Sequence, residues 1–216
     1  MIALYGGTFD PFHNGHLRLA IDVFETLRCE SVHIIPSAKP VHREHPSASP
    51  RARWDMVKLG CEGVSGLVPN NCEIERATPS YAIETIKGFR AQYPEKPIAF
   101  VLGADAYAQF DTWFEWQEIL DHAHLLVIQR PEETYETDTG DYKPSQVLNQ
   151  WAQSRSIKNC NDFHEKLAGL ICFSQIRGLA VSATQIREKI VLKQSVAGLV
   201  SKGVERYIMN NHLYCD

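Results

Sequence analysis

The densest group of chemically active side chains lies in residues 6–16, which read GGTFDPFHNGH. An apolar run precedes this segment and helical spacing of apolar residues follows it, so we predict a strand-to-helix loop. His13 and His16 flank the predicted helix start, three positions apart. Helix N-termini favour anions, and Gly6 and Gly7 would let the backbone approach a ligand closely. The segment therefore predicts a phosphate-binding site.

Plainer interpretations of residues 6–16 remain open at this point. The two glycines could serve only as a turn, and Asn14 could only cap the helix. A metal site built from His13 and His16 is a weaker alternative, because Asp10 is the one acid nearby. The segment matches neither the P-loop pattern nor the G-x-G-x-x-G pattern of dinucleotide-binding folds.

A second group occupies residues 181–187, which read VSATQIR. Ser182 and Gln185 have the spacing of a capping box, which is a sufficient structural reason for both. Arg187 is expected in the first helical turn, where a cation is unfavourable unless an anion binds there. We therefore expect Arg187 not to stabilise the ligand-free protein. On these residues alone, a helix cap and a polyphosphate clamp of Ser182, Thr184 and Arg187 are equally good interpretations.

A third group follows the apolar run that ends at Leu102. Asp105, in Gly103-Ala104-Asp105, could accept hydrogen bonds from ribose hydroxyls or could cap the next helix. Two nearby tryptophans, Trp113 and Trp116, are more often core residues, although one of them could stack on a flat ring.

Short apolar runs alternate with amphipathic segments along most of the chain, which predicts an α/β fold: a Rossmann-like, doubly wound parallel sheet with a small C-terminal helical portion. The predicted strands are Ile2–Tyr5, Val32–Ile35, Cys72–Glu75, Ile98–Leu102, Leu125–Ile128 and Ile171–Phe173. The predicted helices are His16–Leu27, Arg51–Cys61, Ser80–Tyr93, Ser182–Leu192 and Val204–Asn210. At 216 residues we expect a single domain, residues 1–216, with a variable surface insertion at about 132–170.

Composition excludes several classes of protein. Hydrophobic residues make up 44% and charged residues 22%, as in ordinary globular chains, and the formal charge is −4. That charge argues against a broad nucleic-acid-binding face. No apolar run approaches the roughly 18 residues needed to span a membrane, and the N-terminus lacks a signal-peptide pattern. The six cysteines form no C-x-x-C pair, so we predict reduced thiols in a cytoplasmic protein.

Together these groups resemble a known family. Residues 7–16 look like the G-[TS]-F-D-P-x-H-x-G-H signature of the nucleotidyltransferase superfamily, and residues 181–187 resemble its partner signature I-S-x-T-x-I-R. The resemblance to the nicotinate-nucleotide adenylyltransferase family covers nearly the whole chain except about 132–170. Three positions depart from the usual family pattern: Val41, Ala82 and Ala183.

The resemblance implies an enzyme that joins nicotinate mononucleotide to the adenylyl group of ATP, giving deamido-NAD and pyrophosphate, with Mg²⁺ accompanying ATP and no resident metal. His16 and His13 would be the catalytic residues. ATP would contact Gly6, Gly7, Thr8, Phe9, His13, His16, Gly103, Asp105, Ser182, Thr184 and Arg187. The nicotinate nucleotide would contact Arg43, Ser80, Tyr81, Ala82, Trp113, Phe114 and Arg130.

Three rival interpretations are weaker. A sister enzyme with a nicotinamide mononucleotide, phosphopantetheine or cytidylyl specificity shares the first signature. A non-catalytic nucleotide sensor is disfavoured because both histidines and Arg187 are present. A nicotinamide-dependent dehydrogenase lacks its expected glycine pattern. No membrane or nucleic-acid partner is expected, and a homo-oligomer is compatible with the sequence.

Overall fold

The structure is a computed structural model, and it describes residues 1–39, 46–76, 80–129, 143–176 and 178–215. Its strands are β1 Ile2–Gly7, β2 Ser31–Pro36, β3 Leu67–Pro69, β4 Ile98–Gly103, β5 His124–Ile128, β6 Ser156–Ile157 and β7 Ile171–Ser174. Its α-helices are α1 Asn14–Thr26, α2 Pro50–Cys61, α3 Cys72–Glu75, α4 Ala82–Gln92, α5 Ala104–Ala108, α6 Ile119–His122, α7 Gln146–Gln153, α8 Ala183–Val191 and α9 Lys202–Asn210. Short 3₁₀ helices cover Phe110–Thr112, Trp116–Glu118 and Cys160–Glu165.

The strands form a seven-stranded sheet in the order β3-β2-β1-β4-β5-β7-β6. β4 pairs in parallel with β1 and β5, and β7 pairs in parallel with β5 and β6. β4 and β5 are buried almost throughout, because a parallel sheet covered on both faces requires continuous apolar runs. The predicted α/β, doubly wound parallel fold is confirmed, and α8 and α9 follow the last strand as the predicted C-terminal helical portion.

Contacts within the chain divide it into two compact units. The first unit comprises Met1–Tyr5, Val23–Val32 and Tyr81–Arg177, and the second comprises Gly6–Asp22, His33–Ser80 and Gly178–Asp216. The expected single domain stays a prediction. The expected insertion at 132–170 lies partly outside the described residues, and from residue 143 onward it contains α7, β6 and one 3₁₀ helix. Every helix in the described part of the chain is too short or too polar to cross a membrane.

One predicted strand, Cys72–Glu75, is wrong, because this segment is the short helix α3. The side chain of Asn70 accepts a hydrogen bond from the backbone N–H of Cys72 at 3.0 Å. Asn71 donates to the carboxylate of Glu75, one helical turn later, at 2.7 Å. These local bonds favour a helical turn, and the strand of this region is instead β3, which the sequence analysis did not predict.

The prediction that all six cysteines are reduced is wrong for one pair. Cys160 and Cys172 form a disulfide across 12 positions of sequence, with their Cα atoms 5.4 Å apart. The pairing of β6 with β7 places Ile157 beside Cys172, which brings Cys160 close to it. Cys29, Cys61, Cys72 and Cys215 are free thiols. Disulfides are uncommon in the cytosol, so the expected cytoplasmic location stays a prediction.

His124, at the start of β5, should make the folded state sensitive to acid. It is fully buried; its Nε2 lies 3.0 Å from the carbonyl oxygen of Lys166, and its Nδ1 accepts from the N–H of Leu170. Burial lowers the pKa of His124 from 6.5 to about 4. As the pH falls below 6.5, His124 therefore takes up a proton in the unfolded chain before it does so in the folded protein. We expect this difference to remove about 3 kcal/mol from the free energy of unfolding between pH 6.5 and about pH 4.

Urea unfolding at a series of pH values measures this loss. His124→Gln should be less stable at pH 8 but should show a shallower fall below pH 6.5. His212→Asn is the matched control, because His212 is exposed and asparagine tolerates its positive φ of 49°. An equally steep fall in the His124→Gln protein would assign the acid sensitivity to other groups.

Candidate active site

In the second unit, the loop between β1 and α1 contains two glycines whose neighbouring aromatic rings leave little room for a side chain. A Cβ on Gly7 would lie 2.8 Å from the ring of Phe9, which itself has a positive φ of 52°. A Cβ on Gly15 would lie 3.0 Å from the ring of His13. Phe9 and Phe12 are buried and meet edge to face, with ring centroids 5.4 Å apart. The loop is therefore anchored by apolar packing on both sides of Asp10.

His13 and His16 form a reciprocal cap at the start of α1. The backbone N–H of His16 donates to Nδ1 of His13 at 3.2 Å, and the N–H of His13 donates to Nδ1 of His16 at 3.3 Å. Their rings stack with centroids 3.6 Å apart. This is a capping box with imidazoles in place of the usual hydroxyl and carboxylate. Because both Nδ1 atoms accept, Nε2 is the nitrogen of each ring that can carry a proton and donate a hydrogen bond.

Asp10 is held by three donors within the second unit. Its carboxylate accepts from the N–H groups of Ser47 at 2.7 Å and Ala48 at 3.1 Å, and from the hydroxyl of Tyr214 at 2.6 Å. Asp10 is only 5% exposed. Both carboxylate oxygens are thus used inside the protein, which gives this residue a structural role in the loop.

Arg53, on α2, is a fully buried cation beneath the same loop. Its guanidinium donates to the carbonyl oxygens of Thr8 at 2.8 Å, Ala38 at 3.2 Å and Ala48 at 3.2 Å. Burial lowers the pKa of Arg53, and the negative charge of Asp10 opposes that shift. No role was predicted for Arg53 from the sequence. The available signal was a charged residue on the apolar side of α2, beside the buried Ala52 and Met56.

Ser80 was predicted to bind the nicotinate nucleotide. In the structure its hydroxyl oxygen accepts from the backbone N–H groups of Ala38 at 3.0 Å and Lys39 at 3.3 Å. Ser80 therefore fixes the segment that precedes residue 40. Arg43 and its neighbour His42 lie outside the described residues, and so does Arg130.

At the start of α8, Ser182 is the N-cap, as predicted, and its hydroxyl oxygen accepts from the N–H of Gln185 at 3.1 Å. The expectation that Arg187 lies in the first turn is wrong, because it is the fifth residue of α8. Its guanidinium donates to the carbonyl oxygen of Asp10 at 2.7 Å and to the hydroxyl of Thr184 at 3.2 Å. The cation therefore has partners even without an anion.

Arg187→Ala should consequently destabilise the ligand-free protein, contrary to the sequence-based expectation. A hydrogen bond from a charged group typically contributes about 1.5–3 kcal/mol to stability. Because Arg187 is only half-buried, we expect its bond to the Asp10 carbonyl oxygen to contribute an amount at the lower end of that range. Arg187→Lys should recover part of that loss. Urea unfolding without nucleotide measures it, and an unchanged midpoint for Arg187→Ala would show that the Asp10 contact contributes nothing.

In the first unit, the end of β4 positions Asp105. A Cβ on Gly103 would lie 2.5 Å from a carboxylate oxygen of Asp105, so glycine leaves room for this side chain to fold back over the start of α5. Asp105 is exposed. Trp113 is half-buried and packs edge to face on Phe100, with centroids 6.2 Å apart, and against Phe110 at 5.4 Å.

Tyr81 and Phe114 form an aromatic pair in the same unit, with ring centroids 4.8 Å apart. Tyr81 is the N-cap of α4 and Ala82 is its first residue, so both N–H groups belong to a helix start. Phe114 is 49% exposed. Trp116 is half-buried and packs against Trp151 and Phe110, with centroids 4.7 and 5.9 Å away.

The predicted site residues thus fall into two groups by unit. The second unit holds the residues expected at the phosphates, together with Ser80: Gly6, Gly7, Thr8, Phe9, His13, His16, Ser182, Thr184 and Arg187. The first unit holds those expected at the rings and ribose: Tyr81, Ala82, Gly103, Asp105, Trp113 and Phe114. We call these two sets the phosphate-site residues and the ring-site residues. The buried Arg53 and the half-buried Tyr214 support the phosphate-site residues, and neither role was predicted from the sequence.

Comparisons with known proteins agree with these signatures. The cytidylyltransferase-like family model matches residues 4–189. A protein of Marinomonas sp. named "Probable nicotinate-nucleotide adenylyltransferase" is 33% identical over 99% of this chain and 94% of its own length. A protein of Pseudomonas fluorescens with the same name is 39% identical over 99% of this chain and 96% of its own.

Among solved structures, the chain is similar to Plasmodium falciparum nicotinic acid mononucleotide adenylyltransferase complexed with NaAD. The TM-score is 0.71 at 14% identity, covering 99% of this chain and 96% of that chain. This similarity concerns the fold, which it confirms as Rossmann-like. By the family model and the full-length relatives, the chain belongs to the cytidylyltransferase-like family and, within it, to the nicotinate-nucleotide adenylyltransferases.

Proposed function

We propose that this enzyme transfers the adenylyl group of ATP to nicotinate mononucleotide, giving deamido-NAD and pyrophosphate. The observation that carries the proposal is the reciprocal cap of His13 and His16, which holds two imidazole rings at the start of a helix. Donors at a helix start suit the phosphates of a nucleotide. The names of the full-length relatives support the same acceptor.

The reaction needs alignment and charge stabilisation more than acid–base chemistry. An oxygen of the mononucleotide phosphate attacks the α-phosphorus of ATP, and the bond to the β-phosphate oxygen breaks to release pyrophosphate. The nucleophile is already anionic, so no general base is required. In this proposal His16 donates to the α-phosphate and His13 to the phosphates beside it, and both donors are fixed before the substrate binds.

Other phosphate-site residues would hold the departing pyrophosphate. Arg187 supplies a guanidinium that can bond two phosphate oxygens, and Ser182 and Thr184 supply hydroxyls at the start of α8. Thr8 lies in the loop between β1 and α1, where its carbonyl oxygen accepts a hydrogen bond from Arg53. The Gly6-Gly7 backbone and Phe9 complete the wall that faces the nucleotide in this proposal.

Mg²⁺ is proposed to arrive with ATP. It prefers oxygen ligands and binds through substrate phosphates and water, whereas the imidazoles at the start of α1 offer nitrogen. Bound to the triphosphate, the ion would offset the charge that develops on pyrophosphate.

The ring-site residues would recognise the nucleosides and the nicotinate. Gly103 and Asp105 suit the adenosine, because an exposed carboxylate can accept from ribose hydroxyls. The half-buried Trp113 offers a flat face to the pyridine ring. The N–H groups of Tyr81, Ala82 and Phe114 are the proposed donors to the nicotinate carboxylate, with Arg43 and Arg130 as further phosphate contacts.

Pyrophosphate release with ATP and Mg²⁺ tests this proposal across nicotinate mononucleotide, nicotinamide mononucleotide and phosphopantetheine. An amide presents an NH₂ to backbone donors where a carboxylate presents oxygen. One unpaired buried donor costs about 1–3 kcal/mol, so kcat/KM should favour nicotinate by about tenfold to a hundredfold. Faster turnover of phosphopantetheine would overturn the proposed acceptor. Equal values for both pyridine mononucleotides would overturn the backbone-donor model alone.

A further inference from the structure

The C-terminal tail of the chain returns to the first signature loop. Helix α9 ends at Asn210, and the N–H of Leu213 then donates to the carbonyl oxygen of Ile208 at 3.1 Å. His212 and Tyr214 both have positive φ angles, 49° and 62°, which turn the tail sharply. The Tyr214 hydroxyl lies 2.6 Å from Oδ1 of Asp10, 204 positions away in sequence.

Asp10 connects this tail to Arg187 through its own main chain. Its carboxylate accepts from Tyr214, and its carbonyl oxygen accepts from the guanidinium of Arg187 at 2.7 Å. The position of the guanidinium therefore depends on the position of the Asp10 peptide, which the tail helps to fix. All three residues belong to the second unit.

We propose that Tyr214 is a positioning residue for ATP: by holding the carboxylate of Asp10, it fixes the carbonyl oxygen that orients Arg187 toward the triphosphate. The inference rests on the proposed function, which makes Arg187 a phosphate ligand. Burial and the negative charge of Asp10 raise the pKa of Tyr214, so its hydroxyl remains a hydrogen-bond donor at working pH.

A purely structural role for Tyr214 predicts a different pattern of effects. Asp10 keeps two backbone donors when the hydroxyl is removed, so the loop retains most of its support. If the hydroxyl acts through Arg187, its removal should weaken ATP binding only while Arg187 is present. If the hydroxyl serves only the fold, its removal should lower stability equally in either background and leave ATP affinity unchanged.

The experiment is a double-mutant cycle of Tyr214→Phe and Arg187→Ala, read as the dissociation constant of Mg²⁺-ATP by calorimetry without acceptor. Arg187→Ala should weaken ATP binding by about tenfold to a hundredfold. Tyr214→Phe should weaken it by about three- to tenfold in the native background and by less than about twofold in the Arg187→Ala protein.

Tyr207→Phe is the matched control. Its hydroxyl also donates to an aspartate of the second unit, Asp55, at 3.2 Å, but that contact joins α9 to α2. ATP affinity should be unchanged in this variant. Unchanged affinity in Tyr214→Phe, or an equal loss in both backgrounds, would overturn the inference while leaving the proposed function intact. Failure of the native enzyme to bind ATP would instead overturn the proposed function, and the inference with it.

Discussion

Replacing His16 with alanine is expected to lower turnover by about 10²–10³, the usual loss for one preorganised donor to a developing charge. The change removes the Nε2 donor and also the acceptor that caps the N–H of His13. The first effect acts on kcat at saturating ATP and nicotinate mononucleotide. The second acts on the helix start and should lower stability by about 1 kcal/mol.

A second variant separates the two effects. His16→Gln retains a side-chain oxygen that can accept from the N–H of His13, as the third residue of an ordinary capping box does. Stability should therefore recover while turnover stays low, because the amide cannot reproduce the fixed donor of the stacked ring. Steady-state pyrophosphate release and thermal melting measure the two quantities. Turnover of His16→Ala within a few-fold of the native enzyme would remove His16 from the catalytic machinery.

Arg53→Met is expected to reduce the free energy of unfolding by about 3–5 kcal/mol, as does removal of one partner from a buried charged network. Methionine fills much of the volume but leaves the carbonyl oxygens of Thr8, Ala38 and Ala48 without this donor. It also removes the positive charge near the buried Asp10. Activity should fall together with stability, because Thr8 lies in the first signature loop.

Arg51→Met, on the same helix, is the control for Arg53→Met. Its side chain is 76% exposed and meets Asp55 at 3.3 Å, so its removal should change stability by less than about 1 kcal/mol. Urea unfolding of both variants measures the difference. A loss for Arg53→Met no larger than that for Arg51→Met would show that the three carbonyl contacts contribute little to stability.

Residues with a local signal were predictable from the sequence. The apolar runs at β1, β4, β5 and β7 and the cap at Ser182 were found because each depends on neighbours within a few positions. α3 was mistaken for a strand because its cause lies in the side chains of Asn70 and Asn71, which compete with the apolar pattern.

Contacts between distant residues could not be predicted in the same way. The Cys160–Cys172 disulfide depends on the register of β6 beside β7, which spacing alone does not reveal. The role of Arg53 depends on three carbonyl oxygens, two of which lie far from α2 in sequence. The contact of Tyr214 with Asp10 could not be predicted, since the two residues lie at opposite ends of the sequence, 204 positions apart.

The stacked histidine pair has a consequence for the speed and heat of nucleotide binding. Because His13 and His16 cap each other, the first turn of α1 is ordered by the protein itself. The first turn of α1 therefore loses its conformational entropy when the protein folds and not when ATP binds. Association should then be a single rapid step without a slow ordering phase in stopped-flow records, and the heat-capacity change should reflect only the surface that the nucleotide covers.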